Sequence, residues 1–190
     1  MFNDPILNKL IKEYPKPHFE DRSESLMREL IRSVISQQLS VKAARTIFAR
    51  FIDLFPDTIF PTAEIILDTD DEKIRSAGLS YQKVSYVKSI ANAFVSDLID
   101  EEKIRQQSDE EVIQELTQIK GIGRWTAEMI LIFYLLRSDV FSIDDLGLRN
   151  AITNLYGITD RKEMIALAET WRPYRSLACW YLWRSLENKK

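Results

Sequence analysis

LTQIKGIGRWTAEMILIF, residues Leu116 to Phe133, is followed closely by FSIDDLGLR, Phe141 to Arg149. The first stretch reads as a helix, a tight glycine hairpin and a second helix. The second stretch puts two adjacent carboxylates just past the end of that second helix. A hairpin that presents backbone N–H groups suits a phosphate. A carboxylate held beside it suits chemistry on the sugar to which the phosphate belongs. Together they point at DNA.

Composition bounds the alternatives. The chain has 190 residues, 45% hydrophobic and 29% charged, enough for one good core in an ordinary globular protein. Apolar runs such as Met129 to Leu136 are far too short to cross a bilayer. The N-terminal MFNDPILNKLIKEYPKPH lacks the basic start and small-residue cleavage site of a signal peptide. A lone cysteine, Cys179, cannot close an internal disulfide, and with the lone His18 it makes no metal cluster. A four-cysteine iron–sulfur centre is excluded. The expected location is cytoplasmic, with no membrane partner.

A net charge of −3 argues weakly against a nucleic-acid partner, so its distribution matters. Residues 1–53 carry +2, residues 54–119 carry −8, and residues 120–190 carry +3. The acid excess lies in the middle, and the glycine hairpin opens a mildly basic final third. A local phosphate-binding face is compatible with the total, although charge alone fits a merely solvated surface better.

Helical periodicity recurs along the chain. Leu26, Leu30, Ile31, Val34 and Ile35 form one apolar stripe, and Ala44, Ile47, Phe48, Phe51 and Leu54 another. Ser40 is placed to cap the second. Gly78 and Ser80 mark a stop and a start, and Ser108 to Glu111 has the spacing of a capping box. Gly157 closes one helix, Asp160 with Glu163 opens another, and Pro173 sits near the start of an aromatic-rich last helix. No alternating run suggests a sheet. The reading is an all-α single domain over residues 1–190, in two helical lobes around a groove, with the hairpin at about 116–133 and the aspartate loop at about 141–149.

In the hairpin, Gly121 and Gly123 flank Ile122. Glycines there allow positive φ and leave no side chain between backbone and ligand. Ile122 is expected to pack inward. The amides of the hairpin and of the next helical turn would face a phosphate, aided by the helix dipole. A bare GxG between helices is weak evidence and also fits a simple turn.

The longer string is more specific. LTQIKGIGRWTAEMI, with Asp145 following Trp125 by 20 residues, resembles the helix-hairpin-helix DNA glycosylase superfamily. SLMRELIRSVISQQLSVKAARTIF (Ser25 to Phe48) is similar to its N-terminal DNA-contacting segment, and IRSAGLSYQKVSYVKSIA (Ile74 to Ala91) to its middle segment. TWRPYRSLACWYLW (Thr170 to Trp183) resembles the closing helix of the alkylated-base branch, the type of bacterial 3-methyladenine DNA glycosylase II. The chain has no room for the extra N-terminal β-domain of larger members.

The resemblance implies hydrolysis of the bond between deoxyribose and an alkylated purine flipped from duplex DNA, by a protein acting as a monomer. Bond cleavage leaves positive charge on the sugar, which a fixed carboxylate stabilises while orienting the attacking water. Asp145 is the expected catalytic residue, and Asp144 the expected cap of the helix starting near Leu146. Spacing alone would allow these roles to be exchanged. The resemblance further implies DNA contacts at Gly121, Ile122, Gly123, Arg124 and Thr126. Branches that also cut the backbone carry a Schiff-base lysine after GxGR; here Trp125 stands there, so no lyase activity is expected. Trp125 and Trp183, with Met129, are the expected pocket for a cationic base. A core role is the competing reading for Trp183 and the preferred one for Trp180. Leu39 is the expected wedge, with Gln38 as the alternate; a core role for Leu39 is equally open. No cofactor is expected beyond a structural sodium or potassium ion on the carbonyls of Thr117, Ile119 and Ile122. Arg175 and Ser176 either touch phosphate or orient the aspartate loop. Two alternatives remain open: a same-fold glycosylase for deaminated or etheno bases, and a non-enzymatic DNA-binding module.

Overall fold

The computed structural model describes residues 2–17 and 25–187; His18 lies outside them. Among the described residues there are twelve helices and no strand. They fall into two compact units, one of Arg22–Ile130 and one of Met1–Asp21 with Leu131–Lys190.

The middle unit holds α2 (Leu26–Ser36), α3 (Val41–Asp53), α4 (Ala63–Asp68), α5 (Asp71–Arg75), α6 (Tyr81–Val95), α7 (Glu101–Gln106), α8 (Asp109–Leu116) and the start of α9 (Arg124–Phe133). Its core is built around α2 and α6. Leu26, Leu30, Ile31, Val34 and Ile35 of α2 are fully buried, as are Val87, Ile90 and Ala91 of α6. Each such aliphatic side chain contributes about 1.5–3 kcal/mol by leaving water. The caps agree with the sequence reading. Ser40, Ser80 and Ser108 each accept a main-chain N–H, and Ser108 with Glu111 completes a capping box. The second apolar stripe differs: of Ala44, Ile47, Phe48, Phe51 and Leu54, only Phe51 is buried. The first three turns of α3 lie largely open, with Val41 87% exposed.

The terminal unit holds α1 (Pro5–Glu13), α10 (Leu146–Tyr156), α11 (Arg161–Glu169) and α12 (Arg175–Glu187). Here α12 packs on α10 and α1 around Trp171, Tyr181, Leu148 and Ile152. Asp160 caps α11, and Gly157 ends α10 in the left-handed region at φ 71°. A buried carboxylate ties α1 down. Asp4 caps α1 through Oδ1, accepting from Ile6 and Leu7 N–H. Its Oδ2 accepts from Trp171 Nε1 at 2.9 Å and Tyr156 OH at 2.8 Å. Burial and the Asp4 carboxylate together push the Tyr156 phenol well above its usual range.

Candidate functional site

The hairpin is built in the middle unit. α8 ends at Thr117, whose N–H donates to the Ile113 carbonyl; Ile119 N–H then donates to Leu116 and Ile122 N–H to Ile119. Ile122 is buried, the inward anchor expected of it. The two glycines have different reasons to be glycine. Gly121 sits at φ +96°, and a Cβ there would lie 2.4 Å from Tyr86 Cγ, inside the ring's van der Waals surface. Gly123 is outside the left-handed region, so of the two only Gly121 uses the positive φ that glycine allows. A Cβ there would meet nothing within 4 Å, so this glycine leaves open the approach to the first turn of α9. The opening amides of a helix have no intrahelical acceptor, so that turn suits an anion.

The flanking turn is held by contacts far apart in sequence. Gln37 Nε2 donates to the Gly121 carbonyl at 3.1 Å, joining the end of α2 to the hairpin. Lys83 Nζ donates to the carbonyls of Ile35 and Gln37 at 2.7 and 2.8 Å, and burial pulls its ammonium below the usual value. Between them Gln38 takes a left-handed conformation, φ 58°, and both Gln38 and Leu39 are exposed. At 37% exposure Leu39 is not a core residue.

At two of the expected DNA contacts the side chains have other partners. Thr126 is 2% exposed, because the helical period turns positions 126, 127 and 130 of α9 inward together, so its side chain packs and does not face a ligand. Arg124 is exposed but committed. It forks onto both Glu110 oxygens at 3.1 and 2.9 Å, and its Nε donates to Glu128 at 3.1 Å. The Glu110 carboxylate raises the guanidinium's proton affinity further. The arginine clamps α8 to α9. Trp125, on the first turn of α9, is 39% exposed, and Met129 one turn later is half-buried. Lys120 Nζ is held by Ser85 Oγ at 3.0 Å.

In the terminal unit, Asp145 and not Asp144 is the N-cap of α10: its Oδ1 accepts the Leu148 N–H at 2.7 Å. Asp144 instead pairs with Arg161 at 2.5 Å on the surface. The capping role expected of Asp144 therefore belongs to the same residue as the expected chemistry. Asp145 Oδ1 also accepts from Trp183 Nε1 at 2.9 Å. Trp183 stacks obliquely on Phe133, ring centres 5.5 Å apart, and is half-buried. Gly147 makes this approach possible: a Cβ there would lie 3.0 Å from Asp145 Oδ1 and 3.2 Å from Trp183 Cδ1.

One face of α12 holds both the segment that leads into the aspartate loop and Asp145 itself. Arg175 binds the Asp139 carboxylate and its main-chain carbonyl, and also Glu169. Burial pushes Asp139 up, but Arg175 and Arg172 more than offset this and hold it below the usual carboxylate value. Ser176 Oγ donates to the Arg137 carbonyl and accepts the Val140 N–H. Cys179 Sγ lies 3.7 Å from the Val140 carbonyl oxygen, and Trp183 reaches Asp145. Positions 175, 176, 179 and 183 share a helical stripe. Arg175 and Ser176 thus orient the loop, one of the two roles the sequence left open for them. Trp180 packs against the core, edge-on to Tyr181 at 4.9 Å, as preferred.

Comparison with known proteins places this geometry. The family model for HhH-GPD superfamily base excision DNA repair proteins matches residues 31–175. The chain is 44% identical over 183 residues to DNA-3-methyladenine glycosylase 1 of Schizosaccharomyces pombe, covering 94% of this chain and 80% of that one. A solved structure of the 3-methyladenine DNA glycosylase of that yeast in complex with abasic DNA superposes with a TM-score of 0.88. It is 41% identical, with 98% of this chain and 94% of that chain covered. A DNA-3-methyladenine glycosidase from Bacillus halodurans gives a TM-score of 0.83 at 34% identity, covering 97% of this chain and 86% of the other.

Proposed function

The chain belongs to the HhH-GPD superfamily of base excision DNA repair proteins, and from that premise we propose a monofunctional glycosylase that releases 3-methyladenine and 7-methylguanine from duplex DNA. The observation that carries this reading is the double anchoring of Asp145 Oδ1 by the Leu148 amide and the Trp183 indole. It fixes the direction of a half-exposed carboxylate on a rigid helix end. As the glycosidic bond breaks, its electron pair leaves with the base and positive charge builds on the sugar. A preorganised carboxylate stabilises that charge without reorganising. Water then adds to the anomeric carbon, and its proton passes to Asp145 or solvent. An N3- or N7-alkylated purine is already cationic and leaves readily. This suits a mechanism with one carboxylate and an aromatic face at Trp125 worth about 0.5–2 kcal/mol toward a cation.

The absence of lyase activity is supported by tryptophan at position 125, where imine chemistry would need an amine, and by the engagement of Lys120 with Ser85. Leu39 is the proposed wedge, its exposure on a braced turn supporting that role over a place in the core, with Gln38 beside it as the alternate. The carbonyls of Thr117, Ile119 and Ile122 are proposed to hold a sodium or potassium ion that bridges to phosphate. The Ile119 oxygen accepts one N–H and keeps a second lone pair for it. A cytoplasmic monomer acting as one domain belongs to the same reading; none of the described helices is long and apolar enough to cross a membrane.

The test is base release from a methylated duplex by the wild type and by Asp145→Asn. Release of 3-methyladenine or 7-methylguanine, lost in the variant while DNA binding persists, is expected. DNA binding without release from either protein would replace the enzyme with a DNA clamp. Equal release would remove Asp145 from the chemistry. Trapping with borohydride should give no protein–DNA adduct.

A further inference from the structure

The open face of α3 is unexplained by the hairpin or the aspartate loop. Between α2 and α3 lies a cleft of about 700 Å³, lined by Arg28, Arg32, Arg45, Leu39, Val41 and Phe48. Three arginines converge there in the middle unit, whereas the chain as a whole is acidic. The Arg28 guanidinium lies 5.8 Å from the Phe48 ring centre and 5.6 Å from that of Phe60, which sets its direction. Arg32 shares its charge only loosely with Glu29, at 3.5 Å. Arg45 is exposed, and no side-chain ion pair engages it among the described residues. Beside this cationic floor stand Leu39 and the 87% exposed Val41, which no core residue covers.

The turn at 37–40 joins this cleft to the hairpin. It touches the hairpin through Gln37 and lines the cleft through Leu39. A minor groove that admits a wedge at Leu39 has a sugar–phosphate backbone on each side, separated by roughly 6 Å before widening. The hairpin amides take one backbone. We propose that the α2–α3 cleft takes the other: Arg32 and Arg45 bind phosphodiesters of the strand opposite the flipped nucleotide, with Arg28 set behind them. This rests on the proposed function, in that it presumes DNA entry over the hairpin and the Leu39 turn. It adds a second phosphate site on separate helices. The two sites together hold a duplex open around the wedge, and a single strand engages only one.

The test uses the full chain, the double variant Arg32→Ala/Arg45→Ala, and a duplex carrying a tetrahydrofuran abasic analogue. Both residues are exposed, so the variant keeps its fold; an unchanged circular-dichroism melt verifies this. The slope of log Kobs against log salt should fall in magnitude by about 2 for the duplex, one contact per arginine, and stay the same for the isolated lesion strand. Neutral methylphosphonates then locate the contact. Placed opposite the abasic site, they should weaken wild-type binding and leave the variant unaffected; placed in the lesion strand, they should weaken both. An unchanged duplex slope overturns the proposal. So does an opposite-strand methylphosphonate that weakens both proteins equally or neither. These readouts are independent of base release, so loss of the glycosylase reading alone would leave a positive result here standing.

Discussion

Two aspartates in the terminal unit begin a helix and accept the N–H of a tryptophan. Asp4 caps α1 and holds Trp171; Asp145 caps α10 and holds Trp183. The parts are the same and the settings differ. Asp4 is 7% exposed and divides its work, Oδ1 for the cap and Oδ2 for Trp171 and Tyr156. Asp145 is half-exposed and places both cap and indole on Oδ1. In the first case the carboxylate is enclosed, and its value is to keep buried donors satisfied. In the second it is only half-buried and held by an amide and an indole, the kind of fixed carboxylate that the proposed electrostatic catalysis requires. Burial separates a structural tie from the carboxylate proposed for the chemistry.

The sharpest way to break this comparison is to make the same change at both caps. Asp145→Asn keeps a good cap residue, so its melting temperature should stay within a few degrees while base release falls on the order of 100-fold or more. Asp4→Asn should do the reverse. An amide turns donors toward Trp171 Nε1 or Tyr156 OH, costing about 2–3 kcal/mol in urea unfolding, with activity per folded molecule unchanged. If both variants lost activity equally, the two aspartates would not be distinct in kind.

Changing the tryptophans gives a smaller contrast. Trp171→Phe should cost about 2 kcal/mol by leaving the Asp4 carboxylate short of a buried donor and opening space beside it. Trp183→Phe keeps the ring against Phe133 but frees one restraint on Asp145. Base release should fall about tenfold in turnover with substrate binding retained, one hydrogen bond to a charged group being worth about 1.5–3 kcal/mol. A loss confined to binding would show Trp183 to be only a pocket wall.

The smallest effect belongs to Gly147→Ala. Alanine should add up to about 0.8 kcal/mol of helix stability, visible in thermal melts. Its methyl would press on Asp145 Oδ1 and Trp183, so turnover should fall a few-fold even as the protein becomes more stable. A rise in both would mean that the neighbours yield without cost.

Legibility in the sequence followed the range of the interaction. Caps at Ser40, Ser80, Ser108 and Asp160, the stop at Gly157 and the hairpin anchor Ile122 are local features, with local signatures that the structure reproduces. Asp144 and Asp145 were ordered wrongly as caps because a helix start slips by one residue without changing any pattern. The contacts that brace the site were invisible. Gln37 meets Gly121 across 84 residues, Lys83 meets Ile35 across 48, and Trp183 meets Asp145 across 38. Arg124 is expected only as a DNA contact because its partners, Glu110 and Glu128, belong to the geometry of two helices. The stripe on α3 was legible as an apolar face, but amphipathic periodicity does not say what covers it, and only Phe51 of the stripe is buried.

Cys179 packs unexposed against the Val140 carbonyl, and burial pushes its thiol well above the normal range. Electrophiles react with thiolate, so this sulfur is shielded twice, by access and by protonation. Thiols are among the first protein groups an alkylating agent consumes. A protein proposed to act on alkylated DNA works where such agents are present, and this chain leaves them no ready nucleophile of that kind. Its single cysteine, which also supports the aspartate loop, is stored where the damage it serves to repair cannot easily reach it.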